Sequence, residues 1–502
     1  MRNTSDKILL AAGSFLTAFL FCLKFSVTTS PIYSYEGLDS AIFTFIGKSW
    51  SEGHLPYMEL WDHKGPGIFF INCIGWMLTG GKIGVFAIQI LSMGIFLIYT
   101  FRSLRLFFNN LYSILLTFVT ILWMTCSYYG GNLVDEYMLP FYSVSFYLTL
   151  RWLKQTETGE WKHDKWYAFY QGILLSFAFL TRLTNAIPSC CIIGIIFLVL
   201  ISRKEFANLR QNILYYCLGF IALSAPFFWY FHIHDALNEM VYATFTYNVA
   251  YALNSGEAAA ASGTGSVLSK HLLLAIGCYG VAGLTILKML LERKIRLWSI
   301  VWLMAAAFLC LWLPKGIPAA YYRLLTIPFI PIVFINLKLI FEKKSKIILV
   351  ASAALFAIVP IFKLINLVND YEYDFIAYDS SALAKSIHEL IPEEDAGAFI
   401  AYDCRPDIYL HLNLLPCYKW FTFQNWHKSH TEKVRSGIID SFSTCKAKWI
   451  LVNSIDFPEI ERIVADNYSV HSKLTRIIEE PMQRWETYTL YRRNFSIEHD
   501  EK

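Results

Sequence analysis

Long apolar runs separated by short polar segments extend from the start of the chain to about residue 367. A helix that crosses a bilayer needs about 20 mostly apolar residues. Runs near that length lie at 8–28, 84–104, 112–127, 137–152, 168–182, 186–202, 212–231, 271–291, 297–313, 324–341 and 346–366. The pattern predicts a polytopic α-helical membrane protein with about eleven spans. The first run lacks a small-residue cleavage site before Pro31, so we interpret it as an anchor and not as a signal peptide.

The charges between the runs alternate in sign from loop to loop. Every second loop is basic, with Arg102/Arg105, Lys154/Lys162/Lys165, Arg203/Lys204/Arg210, Arg293/Lys294/Arg296 and Lys343/Lys344/Lys346. The intervening loops are acidic, with Glu36, Asp39, Glu52, Glu59, Asp62, Asp135/Glu136 and Asp235/Glu239. Because Lys and Arg collect in cytoplasmic loops, this order predicts an N-terminus inside and a C-terminus outside. The alternation of basic and acidic loops holds only if the apolar stretch 66–79 does not cross the membrane. We therefore interpret 66–79 as a helix at the outer interface.

The first outer loop, 29–83, is long and contains a second amphipathic pattern. Ile42, Phe45, Ile46 and Trp50 recur at helical spacing, which predicts an interfacial helix at 39–52. A later outer loop, 232–270, includes the small-residue stretch 254–266. That stretch fits two interpretations equally, a lid that orders over a ligand and a plain connector.

After Val368 the apolar runs give way to a mixed, charged sequence. The short apolar segments FIAYD and KWILVN predict strands, and DSSALAKSIHELI predicts a helix capped by Asp379 or Ser380. We therefore divide the chain into a transmembrane domain, 1–367, and a small soluble extracytoplasmic α/β domain, 368–502. The tail has no G-x-G-x-x-G motif, no P-loop and no evident set of metal ligands.

Composition supports a membrane protein, because 56% of the residues are hydrophobic and only 16% are charged, whereas soluble domains are about 25% charged. The net charge of +4 is too small to indicate an acidic partner. The eleven cysteines form no C-x-x-C motif and no Cys/His cluster, so we predict no zinc site and no redox motif. Whether Cys404, Cys417 or Cys445 form a disulfide stays open.

Acidic and basic residues gather at the outer ends of the predicted helices. They are Glu36, Asp39, Lys64, Asp135, Glu136, Arg182, Lys315 and Arg323. Each has an ordinary explanation, since basic residues at helix ends often anchor the helix in the interface and lone acids in loops are often solvated. Their common position on one face of the bundle favours a functional site.

Two short motifs in the outer loops carry a family resemblance. The first comprises Asp39-Ser-Ala-Ile-Phe43, Trp50, Gly53, Pro56-Tyr57 and Asp62-His63-Lys64-Gly65-Pro66. The second extends from Gly131-Asn132 through Asp135-Glu136 to Pro140, and Arg182 and Arg323 match more loosely. This order resembles the GT-C superfamily of polyprenyl-phosphate-dependent glycosyltransferases, in particular the protein O-mannosyltransferase and lipid A aminoarabinose transferase types. The resemblance covers the whole chain, including the interfacial helices and the extracytoplasmic tail.

Two positions depart from the family pattern. Ser40 stands where the family has a Glu after the Asp, and Gly65 replaces the first Pro of D-K-P-P. The departures leave the substrate subgroup open and put more weight on Asp39 as the remaining acid.

The resemblance implies transfer of a monosaccharide from a polyprenyl phosphate, such as undecaprenyl phosphate, to an envelope glycan, lipid or protein. The expected location is the outer face of the cytoplasmic membrane, and the expected reaction is a single displacement with inversion. No nucleotide donor is expected there, which agrees with the absence of a nucleotide-binding motif, and no nucleic acid is expected as a partner.

The resemblance also implies roles for the outer charges. Asp39 is the first choice for the general base, with Glu36 second. The candidates for binding the donor phosphate are Lys64, Arg182 and Arg323. Asp135 and Glu136 form a secondary acidic pair, of which Glu136 would position the acceptor or hold one of the cations. No cofactor is certain; a divalent cation among Glu36, Asp39 and Asp135 stays open, since no ligand spacing requires one.

Tyr321 and Tyr322 are expected near the mouth of the lipid groove, or simply in the interfacial aromatic belt.

Other classes of membrane protein remain alternatives. A flippase or transporter of lipid-linked sugars would have the outer basic groups, but it should show inverted halves and charges near the bilayer midplane, and we find neither. A polymerase or ligase of lipid-linked glycans would concentrate its reactive groups in one late outer loop, whereas here the first loop carries the acids. A non-catalytic scaffold would tolerate changes at Asp39 and Lys64.

Overall fold

The computed structural model describes residues 4–253, 276–312, 320–341, 345–370, 380–444, 447–478 and 484–494. The helices before the tail are α1 Thr4–Phe25, α2 Asp39–Ser51, α3 Pro66–Thr79, α4 Lys82–Arg105, α5 Asn110–Thr125, α6 Val134–Glu157, α7 Lys165–Phe179, α8 Ile187–Ser202, α9 Phe206–Ile233, α10 Leu237–Val241, α11 Ile276–Glu292, α12 Leu297–Trp312, α13 Ile330–Ile340 and α14 Ser345–Asp370. Short 3₁₀ segments, Leu183–Ala186 and Ala320–Phe329, precede α8 and α13. Lys315, Lys343, Lys344, Asp379, Cys445 and the 254–266 stretch lie outside the described residues.

Six helical segments in the described part of the chain are long and apolar enough to cross a membrane. They are Thr4–Phe25, Lys82–Arg105, Leu183–Ser202, Phe206–Ile233, Tyr321–Ile340 and Lys346–Ile365. Three shorter apolar helices accompany them, Pro66–Thr79, Asn110–Thr125 and Leu297–Leu311. The protein is therefore a helical membrane-type chain, while the count of eleven spans and the orientation of the termini stay predictions.

The helices approach one another closely where glycine removes the side chain. At Gly172 of α7 a Cβ atom would collide with the carbonyl oxygen of Tyr216 in α9, and at Gly219 of α9 one would collide with the carbonyl oxygen of Phe169 in α7. Small residues at such crossings let the backbones of membrane helices pack directly. The first apolar core lies within this bundle and includes Phe146, which packs edge-on against Trp302 and Phe329.

The tail folds around a four-stranded sheet with the order β1-β2-β4-β3. Its elements are α15 Ser381–Leu390, β1 Phe399–Tyr402, α16 Asp407–Leu412, α17 Gln424–His427, α18 Glu432–Thr444, β2 Trp449–Val452, α19 Pro458–Asn467, β3 Tyr468–Ile478 and β4 Arg484–Arg493. The predicted strands in FIAYD and KWILVN are β1 and β2, which pair in parallel, and β4 pairs antiparallel with both β2 and β3. The Ser380 hydroxyl bonds to Asp407 and does not cap α15, which corrects the predicted cap at Ser380.

A second apolar core joins the first outer loop to the tail. Phe45 of α2 stacks on Tyr409 and packs against Phe421, with ring centroids 5.4 Å apart in both pairs. Trp61 packs against Trp420 at 4.7 Å, and its backbone N–H donates to the carbonyl of Lys419 over 2.9 Å. Because aromatic side chains bury large apolar areas, the tail holds the loop that carries Asp39 and Lys64 in a fixed position.

Candidate functional site

Asp39 is the first residue of α2. The chain enters α2 through Gly37, whose φ of +71° is a conformation that favours glycine. The Asp39 carboxylate is half-buried, and its Oδ2 accepts a hydrogen bond of 3.1 Å from the Tyr321 hydroxyl. A carboxylate is favourably placed at a helix N-terminus because the helix dipole is positive there. Asp39 therefore presents an accessible acceptor for a proton.

Glu36 has a different environment from Asp39. Its Oε1 lies 3.5 Å from the Nζ of Lys82, at the start of α4. This ion pair connects Glu36 to the start of α4. Asp39 instead accepts a hydrogen bond from Tyr321. The two acids therefore have different partners, and their predicted order as general base, with Asp39 first, stays a prediction.

Arg182 is held in place by Asp135. The guanidinium Nη1 donates to Asp135 Oδ2 over 2.7 Å, and Asn185 donates to the other carboxylate oxygen over 2.9 Å. The guanidinium also lies over the ring of Tyr322, 4.5 Å from its centroid. Asp135 is fully buried, so the pair orients Arg182 rigidly on the side of the site next to Tyr321.

Lys64 lies in the D-H-K-G-P segment and is close enough to Arg182, Asp39 and Asp135 to interact with them electrostatically. Its Nζ donates to His63 Nε2 over 2.5 Å, and its backbone N–H donates to Asp62 Oδ1 over 2.9 Å. Burial lowers the pKa of Lys64, and the Asp62 carboxylate opposes this shift. The ammonium group is therefore only weakly solvated.

Gly65 explains how the segment that carries Lys64 reaches Arg182. A Cβ at Gly65 would collide with the carbonyl oxygen of Leu180. The Gly65 and Gly67 backbone N–H groups donate to the carbonyls of Thr181 and Leu180, over 3.3 and 2.7 Å. Proline, which the family has at this position, has no N–H to donate. Glycine at position 65 thus allows a direct backbone contact between the segment that carries Lys64 and the segment that carries Arg182.

We expect Gly65→Ala to reduce activity without changing any charge. The added methyl group has to displace the 180–182 segment, and overpacking of this kind costs about 1–3 kcal/mol. Comparing thermal stability in detergent and sugar transfer with those of Gly53→Ala provides the check, because Gly53 has no neighbour within 4 Å of a Cβ, although its φ of +99° strains any side chain. Wild-type activity in Gly65→Ala would show that this contact is unimportant.

Arg323 has recorded neighbours that differ from those of Arg182. It is buried next to Cys126 and interacts electrostatically with Lys363 of α14, whose Nζ donates to the Cys126 carbonyl over 2.8 Å. The strongest electrostatic neighbours of Arg182 are instead Asp135 and the two tyrosines, Tyr322 and Tyr321. Arg323 therefore lies beside another cation, Lys363, and its role in binding the donor phosphate stays a prediction, as do those of Lys64 and Arg182.

Glu136 points away from the cations into a buried polar network. Tyr128 donates to its Oε1 over 2.8 Å, and Gln89 donates to both oxygens over 2.9 and 3.1 Å. Asp135, and not Glu136, forms the ion pair with Arg182. The two adjacent acids thus bind different partners. Glu136 connects the 128–136 turn to α4 through its hydrogen bonds from Gln89.

Asn132 belongs to the second outer-loop motif, although the sequence did not indicate its role as a positioning residue. Its side chain donates to Ser40 Oγ over 3.0 Å and to Asn72 Oδ1 over 2.8 Å, and it accepts from the Tyr137 hydroxyl over 3.0 Å. These bonds connect α2, α3 and α6 behind Asp39. Asn132 adopts a φ of +57°, in the left-handed region. Asn is one of the few residues enriched in this conformation, so the Asn that follows two glycines is the one signal of this turn in the sequence.

One group in the described part of the chain could hold a metal ion. Asp62, His63 and His427 are buried, and their ligand atoms lie within 4.8 Å of one another. His63 Nδ1 and His427 Nε2 have no hydrogen-bond partner among the residues that the structure describes. Burial lowers the pKa of both imidazoles well below the usual value, which keeps them in the neutral, metal-binding form. The sequence predicted no metal ligand set, and the open alternative named Glu36, Asp39 and Asp135. The fold instead brings His427 of the tail to the first loop.

We expect Zn²⁺ to raise the thermal stability of the purified protein, because an ion that binds only the folded state stabilises it. His427→Ala should abolish this shift, whereas His471→Ala, at an exposed position on β3, should retain it. A zinc-dependent shift that survives in His427→Ala would assign the metal to another site.

The described chain matches known proteins in sequence over one region and in fold over nearly its whole length. The family model of dolichyl-phosphate-mannose-protein mannosyltransferases matches residues 63–230, which include Lys64, Asp135 and Arg182. The structure of ArnT from Cupriavidus metallidurans bound to undecaprenyl phosphate superposes with a TM-score of 0.58 at 10% identity, over 97% of this chain and 98% of that one. The chain has the GT-C fold.

The archaeal oligosaccharyltransferase AglB from Archaeoglobus fulgidus, in complex with an inhibitory peptide and a dolichol-phosphate, shares this GT-C fold. Its TM-score is 0.53 at 12% identity, over 96% of this chain and 74% of that one. No curated protein sequence matches the chain. The family model and the fold agree with the resemblance to the GT-C superfamily that the outer-loop motifs indicated.

Proposed function

We propose that this chain is an integral-membrane glycosyltransferase. It moves a monosaccharide from a polyprenyl-phosphate donor to a cell-envelope acceptor at the outer face of the cytoplasmic membrane. The observation that carries the proposal is the convergence of one accessible carboxylate, Asp39, with two cations, Lys64 and Arg182, from three separate outer segments. One acid beside two cations matches a reaction that takes a proton from one substrate and releases a phosphate from the other.

The reaction follows from the charges in the site. The acceptor oxygen attacks the anomeric carbon while Asp39 accepts its proton, and the bond from that carbon to the phosphate oxygen breaks with both electrons going to the phosphate. Lys64 and Arg182 stabilise the negative charge that develops on this leaving group. A single displacement of this kind inverts the anomeric configuration.

The fold neighbours support a lipid-linked donor. One was determined with undecaprenyl phosphate and the other with a dolichol-phosphate. The family model is that of enzymes named for dolichyl-phosphate-mannose. An isoprenoid donor also suits a chain in which the cations lie at the ends of apolar helices.

Sugar transfer by the purified protein in nanodiscs tests this function. The assay combines radiolabelled polyprenyl-phosphate sugars with an envelope extract, and it follows labelled product together with released polyprenyl phosphate. The proposal requires both to appear in equal amounts. Movement of the lipid-linked sugar between leaflets without its consumption would instead support a flippase.

A further inference from the structure

Three basic side chains from the last turns of α4, α6 and α13 meet at the turn that connects α4 to α5. They are Arg105, Lys154 and Lys338. Each donates to a different backbone carbonyl of residues 106–108, in the case of Lys154 over 3.0 Å. Cations are favourable at helix C-termini because the helix dipole is negative there, so capping explains part of this arrangement.

This cluster lies at the opposite end of the helices from the candidate site. Lys82 begins α4 and pairs with Glu36 of the first outer loop, whereas Arg105 is its last residue. A helix of 24 residues is about 36 Å long. Asp135 likewise begins α6, which carries Lys154 in its last turn. The cluster is therefore at the end of the bundle that the charge pattern predicts to be cytoplasmic.

The three cations carry more positive charge than the helix ends that they cap. A helix C-terminus carries roughly half a negative charge, against a full positive charge on each side chain. In the part of the chain that the structure describes, their recorded hydrogen bonds go to backbone carbonyls, and no carboxylate lies within ion-pair distance of them. Because an ammonium has three donors and a guanidinium five, each cation keeps donors for a ligand. Lys154 is exposed, and Arg105 and Lys338 are half-buried, so an anion can reach them.

Aromatic rings of the same turn hold the two lysines. The Nζ of Lys154 lies 5.1 Å from the ring centroid of Phe107, and the Nζ of Lys338 lies 5.1 Å from that of Phe108. Phe107 packs edge-on against Trp298, with centroids 5.7 Å apart. Cations over aromatic faces are attracted to them, and membrane proteins concentrate Trp and Tyr at headgroup depth. The rings therefore position the ammonium groups where lipid headgroups lie.

An apolar surface begins directly beside the cations. Helix α5 starts two residues after Phe108, and its exposed side chains recur at the spacing of one helix face, at Leu111, Ile114, Leu115 and Phe118. Two of them, Ile114 and Phe118, also line a largely apolar cavity of about 350 Å³ between α1, α4 and α5. One end of this cavity is formed by Phe101, one helical turn before Arg105, and by Asn110 and Asp6. A free phosphate would leave this surface unused, whereas a lipid would cover it.

We propose that Arg105, Lys154 and Lys338 bind the phosphate of an anionic phospholipid from the inner leaflet, with an acyl chain along α5. Basic pockets between transmembrane helices on the cytoplasmic side suit anionic lipid headgroups. The site shares no residue with the candidate site around Asp39, so it is independent of the proposed glycosyl transfer.

Thermal unfolding of the purified protein in a neutral detergent tests the site. Phosphatidylglycerol, phosphatidylcholine and inorganic phosphate are added separately at equal concentrations. A ligand that binds the folded state raises the midpoint of unfolding, and we expect this rise with phosphatidylglycerol alone. An equal rise with inorganic phosphate or with phosphatidylcholine would overturn an anionic lipid as the occupant, and no rise with phosphatidylglycerol would overturn the site.

Substitutions at the two lysines locate the binding. A basic residue near an anionic lipid contributes about 5-fold in affinity, so Lys154→Gln and Lys338→Gln should each weaken phosphatidylglycerol binding about 5-fold, and their combination about 30-fold. The single variants keep the test available if the double variant does not fold. Replacing both lysines by Arg should retain the binding, because the charge remains. Unchanged binding in the folded Gln variants would contradict the assignment.

Two control variants separate this site from other cations. Lys162→Gln/Arg210→Gln removes two exposed charges from other loops predicted to be cytoplasmic, and it should keep the phosphatidylglycerol effect. Lys64→Gln should keep it as well, since Lys64 belongs to the candidate site. Loss of the effect in the first control would indicate a general response to charge, and loss in Lys64→Gln would place the lipid at the candidate site. Either result would overturn the proposal.

Discussion

Asp39→Asn is expected to abolish sugar transfer while leaving donor binding intact. The amide has the same shape and can still accept from the Tyr321 hydroxyl, but it cannot take up the acceptor proton. General-base catalysis contributes about 10²-fold to 10⁴-fold, and kcat should fall by that factor. Initial rates with a radiolabelled lipid donor measure it, and titration with the same donor at zero acceptor measures binding.

Glu36→Gln is the matched control for Asp39→Asn. Glu36 lies three residues before Asp39 in the same outer loop and pairs with Lys82. The Glu36→Gln variant should retain most of the transfer rate. If Asp39→Asn transfers at the wild-type rate and Glu36→Gln does not, Glu36 is the general base and Asp39 is not.

Lys64→Gln is expected to lower kcat by about 10²-fold to 10³-fold, the effect of removing one group that stabilises developing negative charge. The fold decrease in kcat should exceed the fold decrease in donor affinity, because the negative charge on the phosphate grows while the bond to the sugar breaks. Steady-state kinetics at several donor concentrations separate the two quantities.

Lys48→Gln is the control for Lys64→Gln. Lys48 lies on α2 and pairs with Glu52, with 12% of the lysine side chain and 42% of the glutamate side chain exposed. Gln keeps the length to reach Glu52, and Lys48 pairs with Glu52 rather than with any residue of the candidate site, so its loss of charge should leave transfer unchanged. Equal losses of kcat in both variants would indicate a general effect of charge near the membrane and contradict the role of Lys64.

The helices were largely predictable because the apolar runs are long. The helix predicted at 39–52 is α2, Asp39–Ser51, and the run at 84–104 is α4, Lys82–Arg105; the interfacial position of α2 stays a prediction. The hairpin of β3 and β4 was not predicted. Its strands carry charged and hydroxyl residues at many positions, as in YSVHSKLTRII and RWETYTLYRR, and such strands give a weak hydropathy signal.

The candidate site was predictable in its residue types but not in its pairings. Asp135 and Glu136 are adjacent in the sequence, and adjacent helical residues point about 100° apart. Periodicity alone cannot decide which of the two meets Arg182. The proximity of Arg323 to Lys363 likewise depends on how the 3₁₀ segment before α13 packs, which no local pattern encodes.

The approach of His427 to Asp62 and His63 depends on contacts between opposite ends of the chain. The bond between Trp61 N–H and the Lys419 carbonyl, and the packing of Trp61 on Trp420, fix this approach. Both are tertiary contacts between an outer loop and the tail. Sequence spacing therefore could not indicate the group, although each of its residues is a common metal ligand.

The anomeric configuration of the product is the most direct test of the central claim, a single displacement assisted by Asp39. The wild-type protein is given a polyprenyl-phosphate sugar of defined configuration, and the linkage of the purified product is determined by NMR coupling constants. We predict the configuration opposite to that of the donor. A product with the donor's own configuration would require two displacements and would contradict the account.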